Sequence, residues 1–436
     1  MSRVNIEVTP NNQSSTISYR NGQPVIQFLI GEQQRYLLGN SVRLCGDISF
    51  FTADATATLP ASKVRIDERL GIWGAIDQLV IRSQKTQQVM EHLKSYPRFM
   101  QSYLQNTTSD DDANTHLNVM SLCTNNWTNS WEQVCQGDNN NVNSFCVPLP
   151  CGVLNGQNPL PLSRDWGLGG IVIEVHLSPD ASFLFEQDGT GTNISDAYYE
   201  LKNVSLVAEL STPQPQELSK LMSIKNQTFE FNSFSSYYHV IDNQNAIINI
   251  NLGLKRVLSS FMNFVPSRWL NNRSFNSQSS VYPSLLAGTP AKVQQVIFTK
   301  GGMKYPLSYD VNTQDKQTPD SDTPPLCDPQ LFRLFNDCFR KYSQGSGRIQ
   351  TSPHNRSFGL SSFLPVAVNQ VREGGFSYGI GILYDAYDNG IDFSNMSWGV
   401  NMNLDLTDIN SPNSCFIFVH AKNTMVFNES GLQIIN

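Results

Sequence analysis

With 436 residues, a formal net charge of −7, 15% charged and 39% hydrophobic side chains, the chain is too long for one ordinary domain and suits two cores of about 200 residues each. Low charge beside this much apolar sequence excludes a disordered chain. The acidic balance, with no Lys/Arg cluster longer than two residues, argues against nucleic acid as the main partner.

The opening MSRVNIEVTPNNQSS lacks the uninterrupted apolar core of a secretion signal, and no stretch approaches the ~18 apolar residues that span a bilayer. The chain is therefore expected to be made and kept soluble in a host interior. Its cysteines, Cys45, Cys123, Cys135, Cys146, Cys151, Cys327, Cys338 and Cys415, then default to free thiols, and their spacing fits no zinc ribbon or finger.

In chain order, residues 1–21 are polar and irregular and read as an N-terminal arm or extended edge segment. From Val25 the pattern alternates, as in VIQFLI, RYLL and SVRLCGDISFF, where Val42, Leu44, Ile48 and Phe50 share a parity. Residues 72–81 continue it. Residues 86–96 have helical propensity, with Val89, Met90 and Leu93 at helical spacing, and Pro97 ends or restarts that helix. Residues 106–144 form a long polar excursion with Asp110, Asp111, Asp112, Trp127 and Trp131, which reads as a surface loop.

The stretch from Cys146 to Leu177, CVPLPCGVLNGQNPLPLSRDWGLGGIVIEVHL, organises the first half. A Pro/Gly/Asn-rich loop empties into a strand with Ile171, Ile173, Val175 and Leu177 on one face and Val172, Glu174 and His176 on the other. A strand at residues 198–210 closes this half, and STPQPQ punctuates the chain before a helical turn carrying Leu218, Leu221 and Met222.

The second half opens with the alternating TFEFNSFSSYYHVID and AIINI, followed by a strand at 293–298. A linker-like stretch at 313–325 precedes the best helix signal in the chain. Asp328 suits the N-cap, Pro329 the first helical position, and Leu331, Leu334, Phe335, Cys338, Phe339 and Tyr342 line one face. Near the end, after Trp398 and Gly399, the residues Val400, Met402, Leu404 and Leu406 alternate with Asn401, Asn403 and Asp405.

Each half thus carries early strands, one amphipathic helix and late strong strands, a repeat of pattern and not of residues. The expectation is an all-β chain of tandem sandwiches: arm 1–21, first unit 22–212, linker 213–226, second unit 227–436. The eight-stranded jelly roll is the sandwich that commonly tolerates long insertions.

No residue is assigned a catalytic, cofactor-binding or metal-binding role. His116, His176 and His239 lack convergent partners in the sequence, no His-x-His occurs, and Gly-x-Ser-x-Gly, P-loop and His-Glu-x-x-His signatures are missing. Asp385, Asp388 and Asp392, near Tyr384 and Tyr387, could pair as glycosidase carboxylates, but beside Asn389-Gly390 they read as a solvated turn. The Asp110–Asp112 run reads as an acidic loop before it reads as a calcium site. Sequons at Asn106, Asn126, Asn203, Asn226, Asn355 and Asn428 are expected chance occurrences in an Asn-rich chain.

The run PLPCGVLNGQNPLPL followed by GLGGIVIEVHL resembles a segment of double jelly-roll major capsid proteins, nearest those of polinton-like viruses, virophages and related small eukaryotic DNA viruses. The residues concerned are Pro148, Leu149, Gly152, Leu160, Pro161, Ile171, Ile173, Val175 and Leu177, and the strands at 400–406 and 415–427 are similar to that family's closing pair. The resemblance implies two tandem eight-stranded jelly rolls with short accessory helices and a structural protein with no enzymatic activity and no cofactor. It implies a homotrimer forming a pseudo-hexagonal capsomer, contacts with neighbouring capsomers, a pentameric vertex protein and minor cement proteins. It implies no direct sequence-specific nucleic acid binding and a place in the virion shell, assembled inside the host cell. The alternative is a carbohydrate- or receptor-binding β-sandwich, spike-like or lectin-like. A glycan-active enzyme ranks third.

Overall fold

In the computed structural model, the residues described are 3–11, 15–51, 64–67, 70–107, 116–123, 143–156, 158–186, 197–223, 227–273, 277–278, 291–305, 311–312, 329–339, 380–385, 389–406, 413–428 and 431–435. Among the described residues eight strands carry the plan of the first sandwich: β1 Arg3–Val8, β2 Val25–Ile30, β3 Arg43–Phe51, β4 Ile76–Ser83, β5 Val89–Lys94, β6 Asn143–Pro148, β7 Ile171–Leu177 and β8 Tyr198–Ser211, with two-residue strands at Thr16–Ile17, Tyr36–Leu37, Val64–Arg65, Leu160–Pro161 and Phe185–Glu186 beside them. Eight more carry the second: β9 Gln227–Ile241, β10 Asn245–Ile250, β11 Val257–Pro266, β12 Ala291–Lys300, β13 Met303–Lys304, β14 Ile380–Leu383, β15 Trp398–Leu406 and β16 Asn413–Asn428, with the two-residue strand Val311–Asn312 also on β12. A final strand, β17 Gly431–Ile435, folds back on β16.

The pairing is the same in both. In the first sandwich one sheet runs β1–β8–β3–β6 and the facing one β2–β7–β4–β5. In the second the orders are β9–β16–β11–β14 and β10–β15–β12–β13. Adding eight to each label of the first set gives the second. This is the strand plan of a jelly roll, written twice.

The two units are fused through one sheet. β5, the last strand of the first sandwich's inner sheet, pairs in parallel with β9, the first strand of the second, at His92 and Ser235. A continuous nine-stranded sheet results, and the buried apolar side chains form one contiguous cluster from Ile17 to Leu432.

Local chemistry explains the central strands. β7 is buried in the pattern the alternation implies, with Ile171, Ile173 and Val175 fully inside and Glu174 and His176 half-exposed. Gly170 before it has φ +99°, and a Cβ there would fall 2.1 Å from the Gln84 Oε1 and 2.8 Å from the Ile30 carbonyl oxygen. Only glycine lets β7 enter between β2 and β4 at that spacing. In the second unit Val400 and Met402 of β15 are likewise buried between half-exposed Asn401 and Asn403.

One expectation fails. Residues 86–96 are not a helix: Val89–Lys94 is the strand β5, and the helix starts afterwards as α1, Tyr96–Thr107, with Pro97 in its first turn. Val89, Met90 and Leu93 do have helical spacing, but pairing to β4 on one side and to β9 on the other outweighs local propensity. Pro97 is tolerated where the helix has no N–H to satisfy. Two further helices matter. α2, Pro215–Ser223, lies between the sandwiches in sequence, and α3, Pro329–Asp337, begins at the proline that suits a first helical position. Phe335, Cys338 and Phe339 of the α3 face are buried and Leu334 is half-buried, while Tyr342 lies outside the described residues.

Residues 3–8 of the polar N-terminal segment form the edge strand β1, aligned antiparallel with β8 from Arg3 opposite Ser211 to Val8 opposite Leu206.

Candidate functional site: the seam that joins the sandwiches

The most specific chemistry of the described chain lies where the halves meet. Glu91, on the inward face of β5, is buried, and its carboxylate gathers three backbone donors. Gly152 N–H donates to Oε1 at 3.0 Å, Val153 N–H to Oε2 at 2.7 Å, and Phe234 N–H of β9 to Oε1 at 2.8 Å. One carboxylate therefore ties the Pro/Leu/Gly loop of the first sandwich to the opening strand of the second. Burial pushes its pKa up to about 7, against the three N–H donors that favour the ionised form.

Gly152 shows how close the loop comes. A Cβ there would sit 2.5 Å from the Ser233 Cα and 2.7 Å from the Asn232 carbonyl carbon, both backbone atoms of β9. The resemblance singles out this glycine, and the close approach is its physical reason.

Helix α1 is the second tie. It leaves β5 directly and lays Phe99 against the second sandwich. The Phe99 ring is 4.8 Å from Phe234, 5.8 Å from Phe418 and 6.2 Å from Phe261, three rings carried by β9, β16 and β11. Asn263 of β11 donates to the Arg98 carbonyl at 2.9 Å and to the Ser102 hydroxyl at 3.0 Å. Arg98 is buried, donates to the Gln278 carbonyl at 3.0 Å and lies 5.1 Å from the centre of the Phe416 ring. Burial disfavours its charge and Asp67 favours it. At the loop end, Tyr96 donates to the Pro150 carbonyl at 2.9 Å and Trp73 to the Pro148 carbonyl at 2.8 Å. Helix α3 and the turn after it complete the cover: Phe335 of the helix stands 6.2 Å and Phe339 of the turn 4.7 Å from Phe261, and Asn336 donates to Asn106 at 3.1 Å.

The residues weighed as sites lie elsewhere, and the structure does not bring them together. His176 and Glu174 share the outward face of β7, where Arg82 and Gln27 both bond Glu174 and burial holds His176 below the usual histidine range. His239 is on β9 opposite Cys415, and His116 opens the short helix His116–Ser121. Asp385 accepts the Asn389 and Gly390 N–H groups at 2.9 and 2.8 Å, and exposed Asp392 accepts that of Ser394 at 2.7 Å, so both cap turns. Tyr384 is inside the second sandwich, bonded to Trp398 at 2.7 Å. Asp388, Tyr387, Asp110, Asp111, Asp112, Trp127 and Trp131 fall outside the described residues, as do the sequons at Asn126, Asn226 and Asn355. Asn106 is buried in α1, whereas Asn203 stands exposed at a bulge in β8 and donates to Asp47 at 2.7 Å. Among the described residues no three His, Cys, Asp or Glu side chains converge as metal ligands.

Sequence reasoning missed Glu91 and placed the helix before Pro97, with a restart there as the other option, whereas α1 runs from Tyr96 to Thr107. Reading 86–96 as helical left Glu91 without a role. The available signal was an acid between Met90 and Leu93 in a stretch bounded by strand-like residues.

Two jelly rolls in tandem are the fold of double jelly-roll capsid proteins. No protein-family profile and no characterised protein sequence matches the chain. Solved structures do match it. The PBCV-1 virus capsid aligns with a TM-score of 0.57 at 9% identity, covering 100% of this chain and 96% of that one. The Sputnik virophage, solved by cryo-EM, aligns at 0.56 and 11% identity over 100% and 88%. The Faustovirus major capsid protein aligns at 0.54 and 9% identity over 97% and 90%.

Proposed function

We propose that the chain is the major capsid subunit of an icosahedral virus: a structural protein without enzymatic activity that resides in the virion shell and assembles inside the host cell. The carrying observation is that both sandwiches use one strand order and are joined through the sheet and α1. Three such chains around a threefold axis present six similar sandwiches, which approximate a hexagon that tiles. The proposed division sets the sandwiches at 22–212 and 227–436, joined by 213–226, with Arg3–Val8 from the 1–21 segment completing the first.

In this reading the finer partners are neighbouring capsomers, a pentameric vertex protein that lets a hexagonal lattice close, and minor cement proteins. Tiling requires large, partly apolar side-to-side interfaces and not a convergent polar pocket. The turn-capping use of Asp385 and Asp392 weighs in the same direction, because each carboxylate accepts backbone N–H groups of its own turn.

The test is the oligomeric state of the purified chain. Light scattering is expected to give three times the 48.8 kDa chain mass, and negative-stain images a hexagonal outline. A monomer that elutes specifically from a glycan column would replace this reading with the carbohydrate-binding one.

A further inference from the structure

Cys45 and Cys146 face one another across β3 and β6. They are direct register partners in the antiparallel pair, and their sulfurs are 3.0 Å apart. Inward parity on these strands belongs to Leu44, Ile48, Phe145 and Val147, all buried, so the two thiols stand on the outward face, and both are only half-buried. Direct cross-strand partners have Cα atoms about 4.5–5.5 Å apart, inside the range a disulfide spans. Closing the gap to a covalent S–S distance of ~2.05 Å takes about 1 Å of side-chain rotation. Cys123, Cys151, Cys338 and Cys415, by contrast, are buried.

We propose that Cys45 and Cys146 are an oxidative cross-linking site, held as two thiols in a reducing interior and closed to a disulfide by a low-molecular-weight disulfide such as oxidised glutathione. One thiolate attacks the reagent and forms a mixed disulfide, releasing one glutathione thiol. The second cysteine sulfur then displaces the other glutathione, so two protein thiols become one disulfide and the reagent is reduced to two thiols. Burial, with Cys146 beside it, pushes the Cys45 thiol up to about 12, which keeps that sulfur protonated and a poor nucleophile at neutral pH.

The consequence is local. β6 is the outer strand of its sheet, held to β3 over six register pairs, and it leads straight into the loop whose Gly152 and Val153 bond Glu91. A cross-link over a sequence separation of 101 residues removes much of the unfolded chain's freedom and fastens that loop's root. The proposal rests on intrachain geometry and stands whether or not the chain forms capsomers.

The experiment uses the full chain in the assembly in which it purifies, freed of reductant, incubated with oxidised glutathione and blocked with N-ethylmaleimide. Peptide mass mapping is expected to find the Cys45–Cys146 cross-link with loss of two hydrogens, and Cys45→Ser or Cys146→Ser to leave a glutathione adduct on the remaining thiol. Thermal unfolding of the oxidised chain is expected to rise by several degrees and return with dithiothreitol. Both thiols remaining alkylatable after prolonged incubation would overturn the proposal, as would a cross-linked chain that melts no higher than the reduced one.

Discussion

The first sandwich is covered by its own loop, whereas the second borrows part of its cover. In the first, the loop from Leu149 to Leu168 folds over the sheets and buries Leu149, Val153, Leu154, Leu162, Trp166 and Leu168. In the second, the face of β9, β11 and β16 that carries Phe234, Phe261 and Phe418 is sealed by α1, which belongs to the first half, together with α3. Equal strand plans therefore do not make equal domains. The second unit lacks part of its own cover, and the duplication is locked in one direction.

The largest expected effect comes from removing that borrowed cover. Phe99→Ala deletes a fully buried ring that meets three strands of the other sandwich, and is expected to cost about 3–5 kcal/mol in denaturant unfolding. A segment spanning 227–436 alone should bind a hydrophobic dye and show poor near-ultraviolet dichroism. The first segment, 1–212, should fare better. Equal behaviour of the two would break the comparison.

Gly152→Ala comes next. Its Cβ would collide with backbone, which cannot yield cheaply, so a loss of about 2–4 kcal/mol is expected, with the loop and β9 moving apart in hydrogen exchange.

Glu91 sharpens the same seam through pH. Its folded-state pKa, about 7, lies above that of an exposed glutamate. The folded chain therefore holds this proton more tightly than the unfolded one. That stabilisation is fully present below about pH 4.5 and is lost as pH rises through about 7. Relative to Glu91→Gln, the wild-type chain should lose about 3 kcal/mol across that window. Parallel pH profiles for the two would remove Glu91 as the titrating tie.

Asn263→Ala should cost about 1–2 kcal/mol, since it deletes two buried hydrogen bonds to α1. The smallest effect is expected outside the seam. Arg3→Ala removes an exposed 4.0 Å contact with Glu209 and should change stability by no more than about 0.5 kcal/mol. A larger loss would show that the β1 edge, and not the seam, governs the first sandwich.

The alternation of Ile171 to Leu177 and of Val400 to Met402 was legible because period two in a strand is a local property, set by which face each residue presents. Pro329 as a helix start was legible for the same reason. Residues 86–96 were not. Their spacing fits a helix, and only neighbouring strands far away in sequence make them a strand. Glu91 was hidden with them, because a buried carboxylate is recognised by its three donors, which come from positions 152, 153 and 234.

By itself, then, the sequence determined that strands dominate, that the pattern occurs twice, and where each buried face lies, since burial periodicity and turn chemistry act over a few residues. Only the tertiary structure decided that the halves repeat one pairing order, share a sheet between β5 and β9, and that the first lends a helix to the second. Those features depend on hydrogen bonds and ring contacts between residues some 140 to 320 positions apart, as between Glu91 and Phe234 or Phe99 and Phe418, and no local pattern encodes them.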